Sequence, residues 1–157
     1  MKRILVMSDT HGHKLMMSAA LAKCGEWDMV IHLGDYSQDA VALKTMTDKP
    51  VWAVRGNCDL TRDMPEELGL VAEGVSIALA HGHRHGVKHS LLRLGLYGLQ
   101  EDAKLVLFGH THVPTEEFYE GIVLYNPGSL GEPRGGRPTF GVVTVEIDTF
   151  RIKTYAL

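Results

Sequence analysis

The first third of the chain alternates between short continuous apolar runs and segments with helical spacing of apolar residues. Continuous runs of this length are typical of strands buried on both faces, whereas a repeat of about 3.6 residues is typical of helices. The order strand, helix, strand, helix, strand predicts a parallel sheet with right-handed crossovers. The strands are predicted at Arg3–Met7, Met29–Leu33 and Val51–Val54, and the helices at Lys14–Cys24 and from an N-cap at Ser37 to Met46.

After residue 57 the pattern changes to strands separated by short turns, with one helical segment in the middle. Gly121 and Asp148-Thr149 supply turns that make the last third antiparallel, and Gly131–Pro138 is expected to be a loop. The predicted elements are hairpin strands at Leu68–Glu73 and Val75–Ala80, a helix at Val87–Leu99, a buried strand at Leu105–Phe108, and strands at Thr115–Tyr119, Ile122–Tyr125, Phe140–Ile147 and Phe150–Tyr155. With 157 residues the chain is about one domain long, so residues 1–157 are expected to form a single α/β domain.

The composition excludes several classes of protein. The net charge of −3 leaves no basic excess for sequence-independent binding to nucleic acid. No apolar run approaches the roughly 20 residues of a membrane span, and the first run is too short for a signal peptide. The two cysteines, Cys24 and Cys58, cannot form a disulfide scaffold. We therefore expect a cytoplasmic protein that binds neither membranes nor nucleic acid strongly.

Histidine is the residue type whose number and spacing stand out. A random distribution of nine histidines over 157 positions would give about half of one His-x-His pair, but the chain has four such pairs. The pairs are His11/His13, His81/His83, His83/His85 and His110/His112. Chance therefore does not explain their spacing.

The motifs that contain most of these histidines, and several carboxylates, each follow a predicted strand. They are Ser8-Asp9-Thr10-His11-Gly12, Gly34-Asp35, Gly56-Asn57-Cys58-Asp59, His81-Gly82-His83 and Gly109-His110-Thr111-His112. Because ligands bind at the carboxyl ends of strands in an open α/β sheet, we expect these side chains to converge. Carboxylates, an amide and imidazoles suit divalent first-row metals better than calcium or a thiolate zinc site. The ligands exceed what one ion needs, which predicts a two-metal site suited to phosphoryl chemistry.

As a set, these motifs resemble those of the calcineurin-like metallophosphoesterases, and the resemblance spans essentially the whole chain. The short length and the loop Asn126-Pro127-Gly128-Ser129 are similar to the small prokaryotic phosphodiesterase branch of that family. The resemblance implies the metallophosphoesterase fold, an α/β architecture in which a two-sheet β-sandwich is flanked by helices on both outer faces.

The resemblance also implies a ligand set and a mechanism. One ion would be bound by Asp9, His11 and His112, the second by Asn57, His81 and His110, and Asp35 would bridge the two. The resemblance implies two divalent cations; Mn²⁺ is the ion expected, with Fe, Ni, Co or Zn as alternatives. A metal-bridging hydroxide would attack phosphorus in line, and the expected substrate is a phosphate ester, preferably a diester, in a small molecule or a nucleotide.

One position departs from the family pattern. Many members have a histidine where this chain has Cys58, and that histidine is thought to protonate the leaving group. A thiol with a pKa of about 8.5 is a poor substitute. Cys58 and His83 are therefore both kept as catalytic residues, with His13 as a further alternative proton donor.

The remaining assignments concern substrate contacts and support. Asn57 and His83 are expected to contact the substrate and take part in catalysis, and Asp59, also counted as catalytic, either orients the Asn57 loop or caps a turn. Arg134 is expected either to hold a substrate phosphate through a bidentate fork or, like Arg137, to lie solvated on a loop. His32 is expected either in the core or directly behind the metal site, and His85, His89 and Glu66-Glu67 are expected to be exposed.

Two rival functions stay open. The retromer subunit with this fold resembles the family but acts as a non-catalytic scaffold with imperfect ligands, whereas here the ligand set is complete. A protein that stores metal, or needs it as a structural element, would fold only with metal bound. A homodimer is a further expectation for the assembly.

Overall fold

The computed structural model describes residues 1–157 and contains ten strands, three α-helices and one 3-10 turn. The strands are β1 (Lys2–Met7), β2 (Met29–His32), β3 (Val51–Ala53), β4 (Glu67–Ala72), β5 (Val75–Ala80), β6 (Leu105–Leu107), β7 (Thr115–Tyr119), β8 (Ile122–Asn126), β9 (Thr139–Glu146) and β10 (Thr149–Ala156). The helices are α1 (Lys14–Lys23), α2 (Ser37–Met46) and α3 (Leu92–Gln100), and the 3-10 turn is His83–His85.

The first sheet has the order β10-β9-β1-β2-β3. Its strands β1, β2 and β3 are parallel, as the sequence pattern predicts, with Ile4 opposite Met29 and Val30 opposite Val51. The last two strands of the chain complete this sheet, because β9 pairs antiparallel with β1 and β10 pairs antiparallel with β9. The polar loops that follow β1, β2 and β3 therefore leave the sheet at one edge.

The second sheet has the order β4-β5-β6-β8-β7. The hairpin β4–β5 is antiparallel as predicted, and so is β7–β8. The antiparallel pairing predicted for the last third is confirmed within the hairpins β7–β8 and β9–β10, but β8 also runs parallel to β6, and β9 and β10 belong to the other sheet. Periodicity describes a strand but not its partner, which depends on contacts distant in sequence.

Two helix starts differ from the predictions. The middle helix begins at Leu92 rather than Val87, because the chain first turns at Gly86, whose carbonyl accepts the N–H groups of His89 and Ser90 at 2.9 and 3.2 Å. In α2 the N-cap is Tyr36, with φ of 75°, and Ser37 is the first helical residue.

Three apolar clusters hold the layers together. On β1, Ile4 and Val6 face the second sheet, whereas Leu5 and Met7 face α1 and α2. A third cluster packs α3 against the outer face of the second sheet through Leu94. The result is two sheets face to face with helices on both outer faces, which confirms the predicted metallophosphoesterase fold. None of the helices combines the length and the apolar character needed to cross a bilayer.

The packing predicts how much one buried side chain contributes to stability. Leu5 is fully buried, so Leu5→Ala should lower the free energy of unfolding by about 2–5 kcal/mol, through lost burial and the cavity that remains. Urea unfolding followed by circular dichroism measures this change. Leu15→Ala is the matched control, since Leu15 is 85% exposed and its loss should cost less than about 0.5 kcal/mol. Equal losses for both variants would contradict the assignment of this core.

Candidate dinuclear metal site

The carboxyl ends of strands from both sheets bring the predicted ligands to one place. Two groups of side chains each have ligand atoms within 4.8 Å of one another, and Asp35 belongs to both groups. Asn57 adjoins the second group through Oδ1, which lies 3.1 Å from His81 Nε2. The groups are Asp9, His11, Asp35 and His112, and Asp35, His81 and His110. All seven side chains predicted as ligands are therefore close together, although their roles as ligands stay predictions.

The backbone at this edge is in an unusual conformation. Five of these residues have positive φ, at 51° for Asp9, 46° for His11, 57° for Asp35, 72° for His110 and 62° for His112. Left-handed backbone costs of the order of 1–3 kcal/mol for a residue other than glycine and persists only where the surroundings enforce it. Such strain, concentrated in one cluster, is typical of a functional site.

Hydrogen bonds from neighbouring loops hold Asp9 in this conformation. Its carbonyl accepts the Ser129 hydroxyl at 2.7 Å and the Gly131 N–H at 3.1 Å. Its Oδ2 accepts the Ser8 hydroxyl at 2.5 Å and the His110 N–H at 3.0 Å. The other carboxylate oxygen, Oδ1, is thereby turned towards the ligand cluster.

Two imidazoles are fixed by backbone carbonyl groups. His81 Nδ1 lies 2.7 Å from the Leu33 carbonyl, and His112 Nδ1 lies 2.6 Å from the Glu132 carbonyl. Each Nδ1 therefore donates its proton to a backbone carbonyl, which directs Nε2 towards the carboxylates. His112 Nε2 lies 3.0 Å from Asp9 Oδ1, and His81 Nε2 lies 3.8 Å from the same atom.

Both carboxyl groups of the cluster are ionised. Burial acts to raise the pKa of Asp35, but the hydrogen bond and charge of His81 and the Cys58 N–H, at 3.0 Å from Oδ1, hold it well below its ordinary range. Burial likewise opposes ionisation of Asp9, and the contacts with His112 and His81 still lower its pKa. Two negative charges therefore share one largely buried site.

The cluster fits a divalent cation by an independent criterion. His11 Nε2 is buried and lacks any hydrogen-bond partner, and Asp9 Oδ1 is buried with only the imidazoles of His112 and His81 near it, at 3.0 and 3.8 Å. Buried polar atoms are rarely left unpaired, because desolvation without a partner costs free energy. A metal ion satisfies a carboxylate oxygen and an imidazole nitrogen together. His110 suits this role too, since burial and the charges of His81 and Lys88 lower its pKa to about 4 and keep its ring neutral.

The loop after β3 contains Cys58 and Asp59, both predicted to be catalytic. Cys58 is exposed as a residue, but its thiol loses part of its hydration against the loop. This desolvation, followed by the charge of Asp35, raises the pKa of the thiol to about 11. Cys58 is thus a protonated thiol at neutral pH, and its part in catalysis stays a prediction. Asp59 uses its two carboxylate oxygens on the N–H groups of Ser37 and Gly56, at 2.6 and 2.7 Å. These contacts tie the loop after β3 to the start of α2, which is compatible with the orienting role expected of Asp59, and its catalytic role stays a prediction.

The other predicted side chains lie around the rim. The His83 ring is 5.4 Å from His81 and 6.2 Å from His110, and its Nδ1 has no partner. Burial, followed by the charge of His81, lowers the pKa of His83. Arg134 is exposed, and its N–H donates to the His112 carbonyl at 3.2 Å, which places it beside the cluster. The remaining histidine of the first loop, His13, is exposed at the start of α1.

The predictions that His85 and Glu66 are exposed to solvent are wrong. His85 is largely buried, packs against Tyr97 with ring centroids 5.0 Å apart, and lies 3.1 Å from Glu67. Glu66 pairs with Arg55 and Arg84 and does not form a free solvated face. These partners come from other strands and loops, so no local pattern signals them. Sequence reasoning also gave no role to Ser8 or Ser129, although both lie inside motifs already singled out.

The fold and the clustered ligands define an α/β protein of the metal-binding class. The model of the calcineurin-like phosphoesterase superfamily domain matches residues 1–149, and the chain belongs to that family. The family is metal-dependent, which agrees with the cluster at the strand ends.

Named relatives agree with this membership, and a solved structure agrees with the fold. The chain is 32% identical over 154 residues to Probable metallophosphoesterase YsnB of Bacillus subtilis, covering 97% of this chain and 89% of that protein. It is 26% identical over 166 residues to Phosphodiesterase MJ0936 of Methanocaldococcus jannaschii, covering 95% and 96%. The structure of Vacuolar Protein Sorting 29 from Cryptosporidium parvum superposes with a TM-score of 0.83 at 20% identity, covering 99% of this chain and 91% of that one. This last likeness concerns the fold alone.

The loops approach each other so closely at Gly109 that there is no room for a side chain at this position. A Cβ on Gly109 would lie 2.0 Å from Ser8 Oγ and 2.7 Å from Asp9 Oδ2, so Gly109→Ala must displace the side chains that hold Asp9. Such overpacking should lower the free energy of unfolding by about 1–3 kcal/mol. Gly69→Ala is the control, because a Cβ there meets nothing within 4 Å. Chemical denaturation of both variants checks this, and equal stability would contradict the described packing.

Proposed function

We propose that this chain is a metal-dependent phosphodiesterase that binds two divalent cations. The observation that carries the proposal is the position of Asp35, whose carboxylate belongs to both ligand groups. A single carboxylate within reach of two sets of imidazoles is the arrangement that a pair of closely spaced ions requires. Family membership and the relative named as a phosphodiesterase support the reaction class.

The ligand assignment follows the two groups. Asp9, His11 and His112 would hold one ion, and Asn57, His81 and His110 would hold the other, with Asp35 between them. When bound, such a pair supplies an acidified water as nucleophile and stabilises charge on the phosphate oxygens. The mixture of carboxylate, amide and imidazole donors supports Mn²⁺, with Fe, Ni, Co or Zn as alternatives.

The side chains of the protein would bind and orient the substrate. Asp9 and Asp35 neutralise only part of the charge of two divalent cations, so the site attracts an anionic ester although the chain has a net charge of −3. His83, which is neutral and has a free Nδ1, is placed to contact a phosphate oxygen or the leaving group. Arg134, whose backbone N–H donates to the His112 carbonyl, would supply a positive charge at the rim of the site. Cys58 contributes its N–H to Asp35, and its protonated thiol stays outside both ligand groups.

The non-catalytic scaffold is the second candidate, because a Vacuolar Protein Sorting 29 shares the fold. The completeness of the ligand set favours the enzyme. Hydrolysis of bis(p-nitrophenyl) phosphate by the Mn²⁺-loaded chain would exclude the scaffold, whereas absence of turnover with any divalent metal would favour it.

The cytoplasmic location stays a prediction, and so does a homodimer. Cys24 and Cys58 are both free thiols, which is compatible with a reducing compartment.

The shared carboxylate gives the sharpest test of the proposal. Asp35→Asn removes one charge and one oxygen ligand, so Mn²⁺-dependent hydrolysis of bis(p-nitrophenyl) phosphate should be abolished. Asp48→Asn makes the same chemical change on an exposed residue before β3 and should keep full activity. Unchanged turnover in the Asp35 variant would overturn the proposal.

Removal of metal distinguishes an enzyme that needs metal for catalysis from a protein that needs metal to fold. Treatment with EDTA should abolish hydrolysis and leave the circular dichroism spectrum and cooperative unfolding in place, because three apolar clusters hold the layers without any ligand. Added Mn²⁺ should restore activity and raise the melting temperature by mass action. Unfolding on chelation would point to a structural role for the metal.

A further inference from the structure

Three buried polar side chains lie behind the site and belong to neither ligand group. Thr10 and His32 are fully buried, and Asp39, in the first turn of α2, is 1% exposed. A buried carboxylate is costly unless its oxygens are hydrogen-bonded, so the position of Asp39 needs an explanation. Neither the core packing nor the proposed reaction uses this residue.

The three side chains form a hydrogen-bonded network in which each group donates its proton towards Asp39. The Gly34 N–H donates to His32 Nδ1 at 3.2 Å, so the ring proton is on Nε2, which donates to Thr10 Oγ1 at 2.8 Å. The Thr10 hydroxyl then donates to Asp39 Oδ2 at 2.6 Å. Every donor in this network has one acceptor, and the last acceptor is the carboxylate of Asp39.

The second bond to Asp39 comes from the first ligand loop. The Gly12 N–H donates to the same Oδ2 at 2.8 Å. Thr10 and Gly12 flank His11, and Thr10 also follows Asp9, so the carboxylate holds both sides of a ligand that has positive φ. Hydrogen bonds donated to a carboxylate are about twice as strong as those between neutral groups, which suits a segment under backbone strain.

The other end of the network, at His32, reaches the loop that contains Asp35. Gly34, which donates to His32, directly precedes Asp35, whose φ is also positive. The network therefore joins the loop of Asp9 and His11 to the loop of Asp35 through buried hydrogen bonds. Since Asp35 belongs to both ligand groups, the relative placement of these loops sets the geometry of both.

We propose that Asp39, acting through Thr10 and His32, is a positioning residue that holds the two ligand loops in their metal-binding conformation. This inference rests on the proposed metal site. Residues that orient metal ligands from behind, when removed, typically lower metal affinity by about 10–100-fold. Asp39 itself touches neither ion nor substrate.

The first experiment needs no metal. Thr10→Val keeps the shape of the side chain and removes its hydroxyl, so His32 loses its acceptor and Asp39 loses one donor. Amide hydrogen exchange followed by NMR should become faster at Gly34, although that residue does not contact Thr10. Thr10→Ser keeps the hydroxyl and should preserve the slow exchange. Unchanged exchange at Gly34 in Thr10→Val would overturn the inference.

The second experiment measures the consequence for binding. Titration calorimetry of EDTA-stripped protein with Mn²⁺ should show affinity reduced by about tenfold or more in Asp39→Ala and Thr10→Val, and recovered in Thr10→Ser. Val145→Ala is the control for general destabilisation, because Val145 is fully buried and pairs with Lys2 at the end of β1 opposite the site. It should lower stability and leave affinity unchanged.

The outcomes distinguish this inference from the proposed function. If the unaltered chain binds neither Mn²⁺ nor any of the alternative ions Fe, Ni, Co and Zn, the proposed function fails, and the exchange measurement still decides whether the network joins the loops. If the unaltered chain binds Mn²⁺ and Asp39→Ala binds it equally well, the positioning role is wrong. An equal loss of affinity in Val145→Ala would also overturn it.

Discussion

Two ionised carboxylates held close together in a largely buried site are the constraint on which this structure depends. Asp9 and Asp35 stand after adjacent parallel strands, and their oxygens lie within 4.8 Å of each other. Like charges at this distance repel, and burial adds to the cost. The surrounding imidazoles, backbone N–H groups and hydroxyls offset part of that cost, and a pair of cations would offset the rest. The electrostatic requirement explains why so many polar groups converge on one edge.

The sandwich meets this requirement because both sheets end at the same edge. Strands β1 and β2 in one sheet, and β5 and β6 in the other, lead into loops that face each other. Residues as far apart in sequence as Asp9 and His112 therefore come into contact distance. The apolar clusters between and outside the sheets fix the strand ends, and the loops need only adjust the last few dihedral angles. Five left-handed ligand residues are the local cost of that adjustment.

The sequence predicts the fold and the membership of the cluster because both follow local rules. Buried strands ending in glycine-containing polar motifs reveal where Asp35 and His110 must lie, and residue chemistry indicates metal. The sheet to which β9 belongs and the partners of His85 depend on pairings between distant segments. Asp39 is the clearest example, since an aspartate in the first turn of a helix suggests only a favourable charge near the helix N-terminus. Its bond to Thr10 exists only after the chain has folded.

The central claim is that one edge of the sandwich holds two cations that share Asp35. Crystals of the chain grown with Mn²⁺, measured by anomalous diffraction, test it most directly. The account predicts two anomalous peaks for each chain, both in contact with Asp35, one bound by Asp9, His11 and His112 and the other by Asn57, His81 and His110. A single peak, or two peaks with no common ligand, would contradict it.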